Sequence, residues 1–446
     1  MDQKIVLFIE PPVDYVNPRV NIGCNLGINS IISYVKNNCD VRVEFYSFEY
    51  AKVLHRVLSM EQVLDKYNPD IICLTILTHA VVFAKKFSHL AKNRGCVVIW
   101  GGIYVTYNAQ RLAQEDRNID FLIVGEGENV LPYILNGLQS NKFILGFKAY
   151  IVSCHDEEID ELPYCLPDFS LIPDDLIYTH NLRATFELTK GCSYKCKFCC
   201  VRNISNKSKV KSIEIIRKEL KNIENYKFKK TLICDNNFIP GNKQFEEFIN
   251  AKREICPDMK FRITVRADLI TEKLLDKYEE LGIDELIMGV EHVDPNILKS
   301  MQKTRDPINW KKTIKKAVLL AAKHNFLVHP IFMFGWPGET KSSLKHNCEV
   351  ACELGMNTNV EPFVAFLTPH PGSETEKFVA DGQVRLITSD LSKYIHLYPV
   401  SIPLSYGKGA VEDFIDVHNK IRTISNMTYR NPCIDLEYVY KYADLL

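Results

Sequence analysis

Three cysteines in the run Gly191-Cys192-Ser193-Tyr194-Lys195-Cys196-Lys197-Phe198-Cys199-Cys200 stand at CxxxCxxC spacing. The run follows an apolar stretch, Thr185-Phe186-Glu187-Leu188-Thr189, that reads as a strand. A short loop leaving a strand can turn three sulfurs toward one point. Thiolates are soft ligands that select iron–sulfur clusters or zinc. The ligand count separates the two. A structural zinc site closes its shell with four protein ligands, whereas three cysteines on a [4Fe–4S] cluster leave one iron open to something else. A zinc knuckle completed by a histidine or by Cys200 is the alternative that spacing alone leaves standing. Consecutive thiols rarely both reach one cluster, so Cys200 reads as a buried neighbour of the ligands.

The chain around this loop has 446 residues, more than one ordinary core, so two domains and an appendage are expected. Hydrophobic residues make up 46% and charged residues 25%, the balance of a globular protein. Lys+Arg and Asp+Glu stand at 55 each, which gives no global charge argument for nucleic acid or an anionic membrane. The N-terminus lacks the pattern of a signal peptide, and no apolar segment reaches the roughly 18 residues of a membrane span. Fifteen cysteines in such a chain point to reduced thiols and a cytoplasmic location.

Strand-like and helix-like blocks alternate from residue 4 to 138. The apolar runs are Ile5–Ile9, Val41–Phe45, Ile71–Leu77, Val97–Trp100 and Phe121–Val124, with amphipathic segments such as Val81–Lys92 between them. Five such strands with crossover helices predict a doubly wound, flavodoxin-like sheet over residues 1–140. Ligands of such sheets collect beyond the carboxyl ends of the strands. Those ends carry Thr75 to His79, Gly101-Gly102 and Val124-Gly125-Glu126-Gly127-Glu128, where glycines let backbone approach a bulky ligand. His79, alone at a strand end, reads as a hydrogen-bonded structural residue. Residues 141–184 read as a connector: a hairpin at Phe147–Ser153, then a proline-interrupted stretch through Pro163 and Pro167.

A second series of strands follows over 185–372: Ala184–Leu188, Thr231–Cys234, Phe261–Val265, Glu285–Val290, Leu327–Phe334 and Asn359–Phe366. Six β/α units predict an open, partial TIM-like barrel with its chemistry at the carboxyl ends of the strands. The three cysteines lie after the first of them. Later ends carry Asp235-Asn236-Asn237, Arg266-Ala267-Asp268, Gly289-Val290-Glu291-His292 and Gly335-Trp336-Pro337-Gly338-Glu339, and the last gives Leu367-Thr368-Pro369-His370-Pro371-Gly372. Residues 373–446, rich in tyrosine (Tyr394, Tyr398, Tyr406, Tyr429, Tyr438, Tyr440, Tyr442), read as a mostly helical extension capping the barrel mouth, its rings used chiefly in packing. Cys348 and Cys352 form a second CxxxC within a helical pattern. With no third partner beyond distant Cys433, they do not predict an auxiliary cluster.

The order of these motifs resembles the radical SAM superfamily, in the branch that carries a cobalamin (B12)-binding domain. Asn68-Pro69-Asp70-Ile71, Trp100-Gly101-Gly102 and Val124–Glu128 resemble the cobalamin-binding domain, and the succession of strand ends from Cys192 to Gly372 resembles the radical SAM core. The resemblance implies a [4Fe–4S] cluster on Cys192, Cys196 and Cys199, its open iron chelated by S-adenosylmethionine (SAM). It places Phe198 near the adenine. Asp235, Asn236, Arg266 and Glu291 then offer charged and amide partners to SAM, and the turn at Gly335 and Pro337 offers backbone groups. Glu339 reads equally as a first-turn carboxylate. Thr75, Thr78, Gly101, Gly102, Val124, Gly125, Glu126, Gly127 and Glu128 become the cobalamin contacts. No DxHxxG motif is present, which fits base-off binding without a histidine ligand, although some relatives keep the domain and lose the cofactor. Relatives often have serine where His292 stands, so His292 is the candidate for an imidazole near the reaction centre.

The implied activity is that of a class B radical SAM methyltransferase. It would cleave SAM reductively to a 5′-deoxyadenosyl radical and move a methyl group from methylcobalamin to an unactivated carbon, or phosphorus, of a small molecule or peptide. An external electron donor such as flavodoxin or ferredoxin is implied too. A cyclase or other oxidative tailoring enzyme on the same two domains, with or without cobalamin, is the rival reading. A non-catalytic cobalamin or metal sensor is the third.

Overall fold

The computed structural model describes residues 3–13; 23–153 except 129, 141 and 147; 166–238 except 181 and 202–208; 243–406 except 372, 397 and 398; and 412, 413, 416, 417, 419 and 420. The chain divides into two compact units, Met1–Asp14 with Cys24–His180, and Tyr15–Gly23 with Asn181–Leu446.

In the first unit β1 (Ile5–Glu10), β2 (Arg42–Ser47), β3 (Ile71–Thr75), β4 (Val97–Gly101), β5 (Phe121–Val124) and β6 (Tyr150–Ser153) form one parallel sheet. Their order is β2-β1-β3-β4-β5-β6. Val6 to Ile9 of β1 are all buried, the signature of a strand covered on both faces. Sequence marks where the crossover helices begin. Asn25 accepts from Ile28 N to start the helix Leu26–Asn38, and Ser59 with Gln62 makes a reciprocal capping box at Met60–Tyr67. Trp100 is fully buried, its indole N–H donating to Ser88 Oγ at 2.9 Å, so β4 is fastened to the helix Val81–Lys92 just before Gly101.

The hairpin read at Phe147–Ser153 is not formed; Phe147 itself lies outside the described residues. Tyr150–Ser153 instead runs parallel to β5, with Phe121 opposite Tyr150 and Val124 opposite Ser153. The Phe121 and Tyr150 rings stack at 5.3 Å with Phe143 against both, a long-range aromatic cluster that outweighs local turn chemistry. The sheet therefore has six strands where five are legible. Part of the connector packs on the same unit: Phe169 is buried and Lys36 holds Asp168 at 2.6 Å.

The second unit begins with β7 (Ala184–Phe186) and a short antiparallel ribbon, β8 (Thr189–Lys190) with β9 (Lys209–Val210). Then come β10 (Lys230–Ile233), β11 (Lys260–Arg266), β12 (Ile283–Glu291), β13 (Leu327–Phe334) and β14 (Phe363–Phe366). The main sheet is parallel and sequential, β14-β13-β12-β11-β10-β7, an open partial barrel. Toward the strands' starting ends a buried ion group ties four of them together. Glu285 accepts from Arg183 at 2.8 Å, lies 3.2 Å from Arg262, and pairs with His329 at 3.0 Å.

Beyond the sheet, the described part of the C-terminal extension adds a short strand pair to its helical pieces. It holds an antiparallel pair, β15 (Val384–Leu386) with β16 (Ser401–Pro403), beside the short α-helix Lys377–Ala380, and the described residues between 412 and 420 are all helical. Val384 joins Trp336, Ile297, Met301 and Leu367 in one core, so this segment folds against the barrel rather than as a helix of its own. Tyr394 and Tyr406 are buried in packing; Tyr398, Tyr429, Tyr438, Tyr440, Tyr442 and Cys433 lie outside the described residues. Among the described residues no helix is long and apolar enough to cross a membrane, and every cysteine is a free thiol.

Candidate functional site

The cysteine loop leaves the β8–β9 ribbon at Gly191, whose φ of +88° a side chain would resist. Asp235, at the exit of β10, fixes the approach to it. Its carboxylate accepts from Leu188 N at 2.7 Å, Thr189 N at 3.0 Å and Thr189 Oγ1 at 2.6 Å. Burial pushes the Asp235 carboxyl above its usual value, against the pull of those bonds. Farther along, Lys197 N donates to Met301 O at 3.0 Å and Cys199 N to Cys196 O at 3.2 Å. Cys196 is buried, while Cys192, Cys199 and Cys200 are half-buried. Burial raises the Cys196 thiol and lifts Cys199 to about 11, so ligation must supply the free energy that removes those protons.

Two buried cations face the loop. Arg266, ending β11, has Nη1 3.8 Å from Cys196 Sγ and its guanidinium 3.9 Å over the Tyr194 ring. It is oriented by Asp268, with two bonds of 3.0 Å, and by the Lys303 carbonyl at 2.6 Å. Lys303 lies at 5% exposure, its ammonium 5.9 Å from the Phe198 ring and 3.0 Å from Glu291 Oε1. Glu291 reaches it because β12 shifts register between Gly289 and Glu291, and Glu291 takes φ +66°. A cavity of about 1270 Å³ opens here, lined by Tyr194, Arg266, Lys303 and Trp310 among others.

The barrel mouth is walled by Phe198, edge-on to Trp336 at 6.4 Å, and by Phe378, 5.0 Å from Trp336. Gly335 (φ +91°) and Gly338 (φ +84°) bracket Pro337 in a tight turn. Glu339 stands before the N-cap, Thr340, and is fully buried, so it is not a first-turn carboxylate facing solvent. It accepts from Gly335 N at 2.6 Å and from the Tyr406 hydroxyl, and pairs with His292 Nε2 at 2.8 Å. Burial and then the Glu339 charge hold the Tyr406 phenol well above its usual range. His292 is itself fully buried, with Nδ1 accepting from Asp294 N at 2.9 Å. The structure thus gathers Cys196, Phe198, Arg266 and Glu291 about Lys303, and ties His292 to the Gly335–Pro337 turn through Glu339. Asp235 is committed to the loop backbone, and Asn236 is exposed. Lys303 and Tyr194 carry no strand-end signal; a buried lysine on the loop after a short helix is invisible to periodicity. Cys348 and Cys352 share one helix, Sγ atoms 3.9 Å apart.

The second candidate site lies at the carboxyl edge of the first unit's sheet. A cavity of about 180 Å³ is lined by Thr75, Gly101, Gly102, Gly125, Glu126, Gly127 and Glu128, with Ile28, Ile31, Ile99 and Ile123 among its apolar walls. Thr78 and Val124 are not in that lining; Thr78 is buried in a short 3₁₀ turn shared with His79. Gly102 has φ +97° and ψ 178°, and a Cβ there would stand 2.8 Å from Ile76 N. One at Gly127 would stand 2.9 Å from Ile31 Cδ1. The cradle is shaped by missing side chains. The donor set at the barrel, three soft thiols with cations beside them, fits an anionic iron–sulfur cluster. The apolar, glycine-walled slot at the sheet edge fits a flat aromatic limb of a large cofactor.

Two parallel α/β sheets with these edges define the class, and comparison with known proteins gives the family. Residues 186–351 match the radical SAM superfamily and residues 13–135 the B12 binding domain. The chain belongs to the radical SAM superfamily and is a radical SAM enzyme carrying a B12-binding domain; a [4Fe–4S] cluster with SAM, and cobalamin, are the cofactors such domains take. It is 23% identical over 425 residues to the uncharacterised methyltransferase PH0819 of Pyrococcus horikoshii, covering 89% of this chain and 87% of that one. It is 24% identical over 388 residues to the anaerobic magnesium-protoporphyrin IX monomethyl ester cyclase of Rubrivivax gelatinosus, covering 80% and 66%. Among solved structures, the radical SAM methyltransferase TsrM of Kitasatospora setae superposes with a TM-score of 0.69 at 13% identity, covering 97% of this chain and 91% of that one. The cobalamin-dependent radical enzyme OxsB superposes at 0.61 and 15% identity, covering 99% and 66%.

Proposed function

We propose that this chain is a cobalamin-dependent radical SAM methyltransferase acting on an unactivated carbon, or phosphorus, of a small molecule or peptide. One observation carries the reading: a three-thiol loop at one set of strand ends and a glycine cradle at another occur in a single chain. When bound, the cluster with SAM supplies a 5′-deoxyadenosyl radical, and methylcobalamin supplies the methyl group. In this reading Cys192, Cys196 and Cys199 hold the cluster, and Phe198 and Trp336 keep water from it. Asn236, Arg266, Glu291 and the Gly335–Pro337 turn orient SAM, with Asp235 fixing the loop that carries the thiols. Thr75, Gly101, Gly102 and Gly125 to Glu128 receive cobalamin, with Thr78 and Val124 supporting them. His292 acts through Glu339, as a positioning residue rather than a proton carrier. Residues 1–140, extended by the sixth strand Tyr150–Ser153, and 185–372 are the two functional domains, the rest of 141–184 joins them and 373–446 shapes the substrate side. The free thiols favour a reducing compartment such as the cytoplasm, where a flavodoxin or ferredoxin could supply the electron.

The deciding experiment is anaerobic reconstitution, scoring iron per chain, the cobalamin spectrum and 5′-deoxyadenosine together. The Cys192→Ala/Cys196→Ala/Cys199→Ala variant should lose cluster absorbance and SAM cleavage while still binding cobalamin. An intact cluster and turnover in that variant would sink the assignment. The similarity to a cyclase favours one rival, a radical cyclisation. Product mass separates the two, since methylation adds one methyl per turnover whereas cyclisation removes hydrogens or conserves mass.

A further inference from the structure

We infer that Lys303 and Arg266 set the reduction potential of the cluster, with Glu291 as the counter-ion that limits their effect. The inference rests on the proposed cluster on Cys196. Both cations are buried, at 5% and 6% exposure, and both meet the ligand loop rather than solvent. Arg266 stands 3.8 Å from the Cys196 sulfur, and its bond to the Lys303 carbonyl places the lysine beside it. The Lys303 ammonium lies over Phe198, the residue immediately before Cys199. Of the two counter-ions, Asp268 has 29% side-chain exposure, so water screens it, whereas Glu291 has 8%. Adding an electron to a thiolate-bound cluster increases its negative charge, and a fixed cation in a poorly screened site favours that step.

A structural ion pair is the plainer reading of Lys303 and Glu291, yet the backbone around them is built at a cost that pairing alone does not explain. Glu291, the last residue of β12, sits at φ +66°. Gly289 has no room for a side chain: a Cβ would stand 2.7 Å from Glu291 Oε1 and 2.8 Å from Lys303 Nζ. Burying such a pair seldom adds stability over apolar packing. Non-glycine residues held at positive φ gather where the site needs them.

The test is an EPR-monitored redox titration of the reconstituted cluster without SAM, on the full chain and on Lys303→Met, Lys303→Arg and Glu291→Gln. In Lys303→Met the reduced-to-oxidised ratio at a fixed potential should fall at least tenfold, a midpoint lower by about 59 mV for one electron. Lys303→Arg should restore it, and Glu291→Gln should shift it upward. Opposite signs from the two halves of one ion pair are what electrostatic control demands and what a loosened fold does not give. Shifts of the same sign, or none with iron per chain intact, would overturn the inference. Should Lys303→Met hold no cluster, Glu291→Gln decides alone, an unchanged or lowered midpoint counting against it. A wild-type chain that assembles no cluster would instead remove the proposed function.

Discussion

Gly102→Ala is the sharpest probe of the sheet-edge cradle. Gly102 occupies φ +97° and ψ 178°, a region that is nearly glycine-only. The neighbouring loops leave no slack, because Ile76 N donates to Gly101 O at 2.8 Å and Tyr104 N to Ile76 O at 3.1 Å. A Cβ would meet Ile76 N at 2.8 Å and Ile76 O at 3.0 Å, backbone atoms that cannot swing aside. Alanine can relax only by turning its φ negative, which moves the Gly101–Gly102 peptide that lines the cavity. Cobalamin must then force that peptide back, so the strain of about 1–3 kcal/mol appears in binding. That corresponds to roughly 5- to 150-fold weaker affinity. Hydroxocobalamin binding by equilibrium dialysis measures it, with iron per chain on the barrel as the control for folding. An affinity within twofold of wild type, on protein with a full cluster, would refute the reasoning that this peptide is a wall of the site.

Two further outcomes follow from the barrel. Asp235→Asn exchanges one acceptor oxygen for a donor against three donors from Leu188 and Thr189. It should cost about 1–3 kcal/mol of loop order, read as iron lost on gel filtration relative to wild type. Glu285→Gln removes the anion from between Arg183, Arg262 and His329 and should cost about 3–5 kcal/mol in urea unfolding. Burial pushes the Glu285 carboxyl up, but the His329 hydrogen bond and the Arg262 and Arg183 charges outweigh it and hold it well below its usual value. A carboxyl depressed in the fold gives stability that is complete above the unfolded pKa, about 4.3, and lost as pH falls through that value toward the folded one. Urea midpoints between pH 7 and 3 should therefore fall less steeply in Glu285→Gln than in wild type.

What the sequence made legible was set by physical range. The buried strands announce themselves as unbroken apolar runs, and Leu327–Phe334 is read to the residue because both faces of the sheet are covered. The sixth strand of the first sheet was not legible, since Tyr150–Ser153 alternates half-buried and exposed positions and is held by Phe121 and Phe143 from elsewhere in the chain. The antiparallel pair at Val384–Leu386 and Ser401–Pro403 failed for the same reason. Three-residue strands carry too little pattern to outvote helical composition.

Site residues divide along the same line. Cysteine spacing is local information, and glycines at strand ends carry their backbone requirement with them, so both sets can be named as candidates from the sequence. Asp235 and Glu291 are named as candidates by position, but position does not reveal partners. One carboxylate turns to the backbone of the cluster loop and the other to a lysine twelve residues downstream. That lysine follows the helix Pro295–Met301, whose C-cap, Gln302, is left-handed and turns the chain. Nothing in residue type marks a buried position there. Gly289 could have been the clue, because a glycine inside a strand usually means that something approaches the backbone closely. Here that something is the Lys303 ammonium, and the site's two cations come together only because β12 gives up a side chain and a regular register to admit one of them.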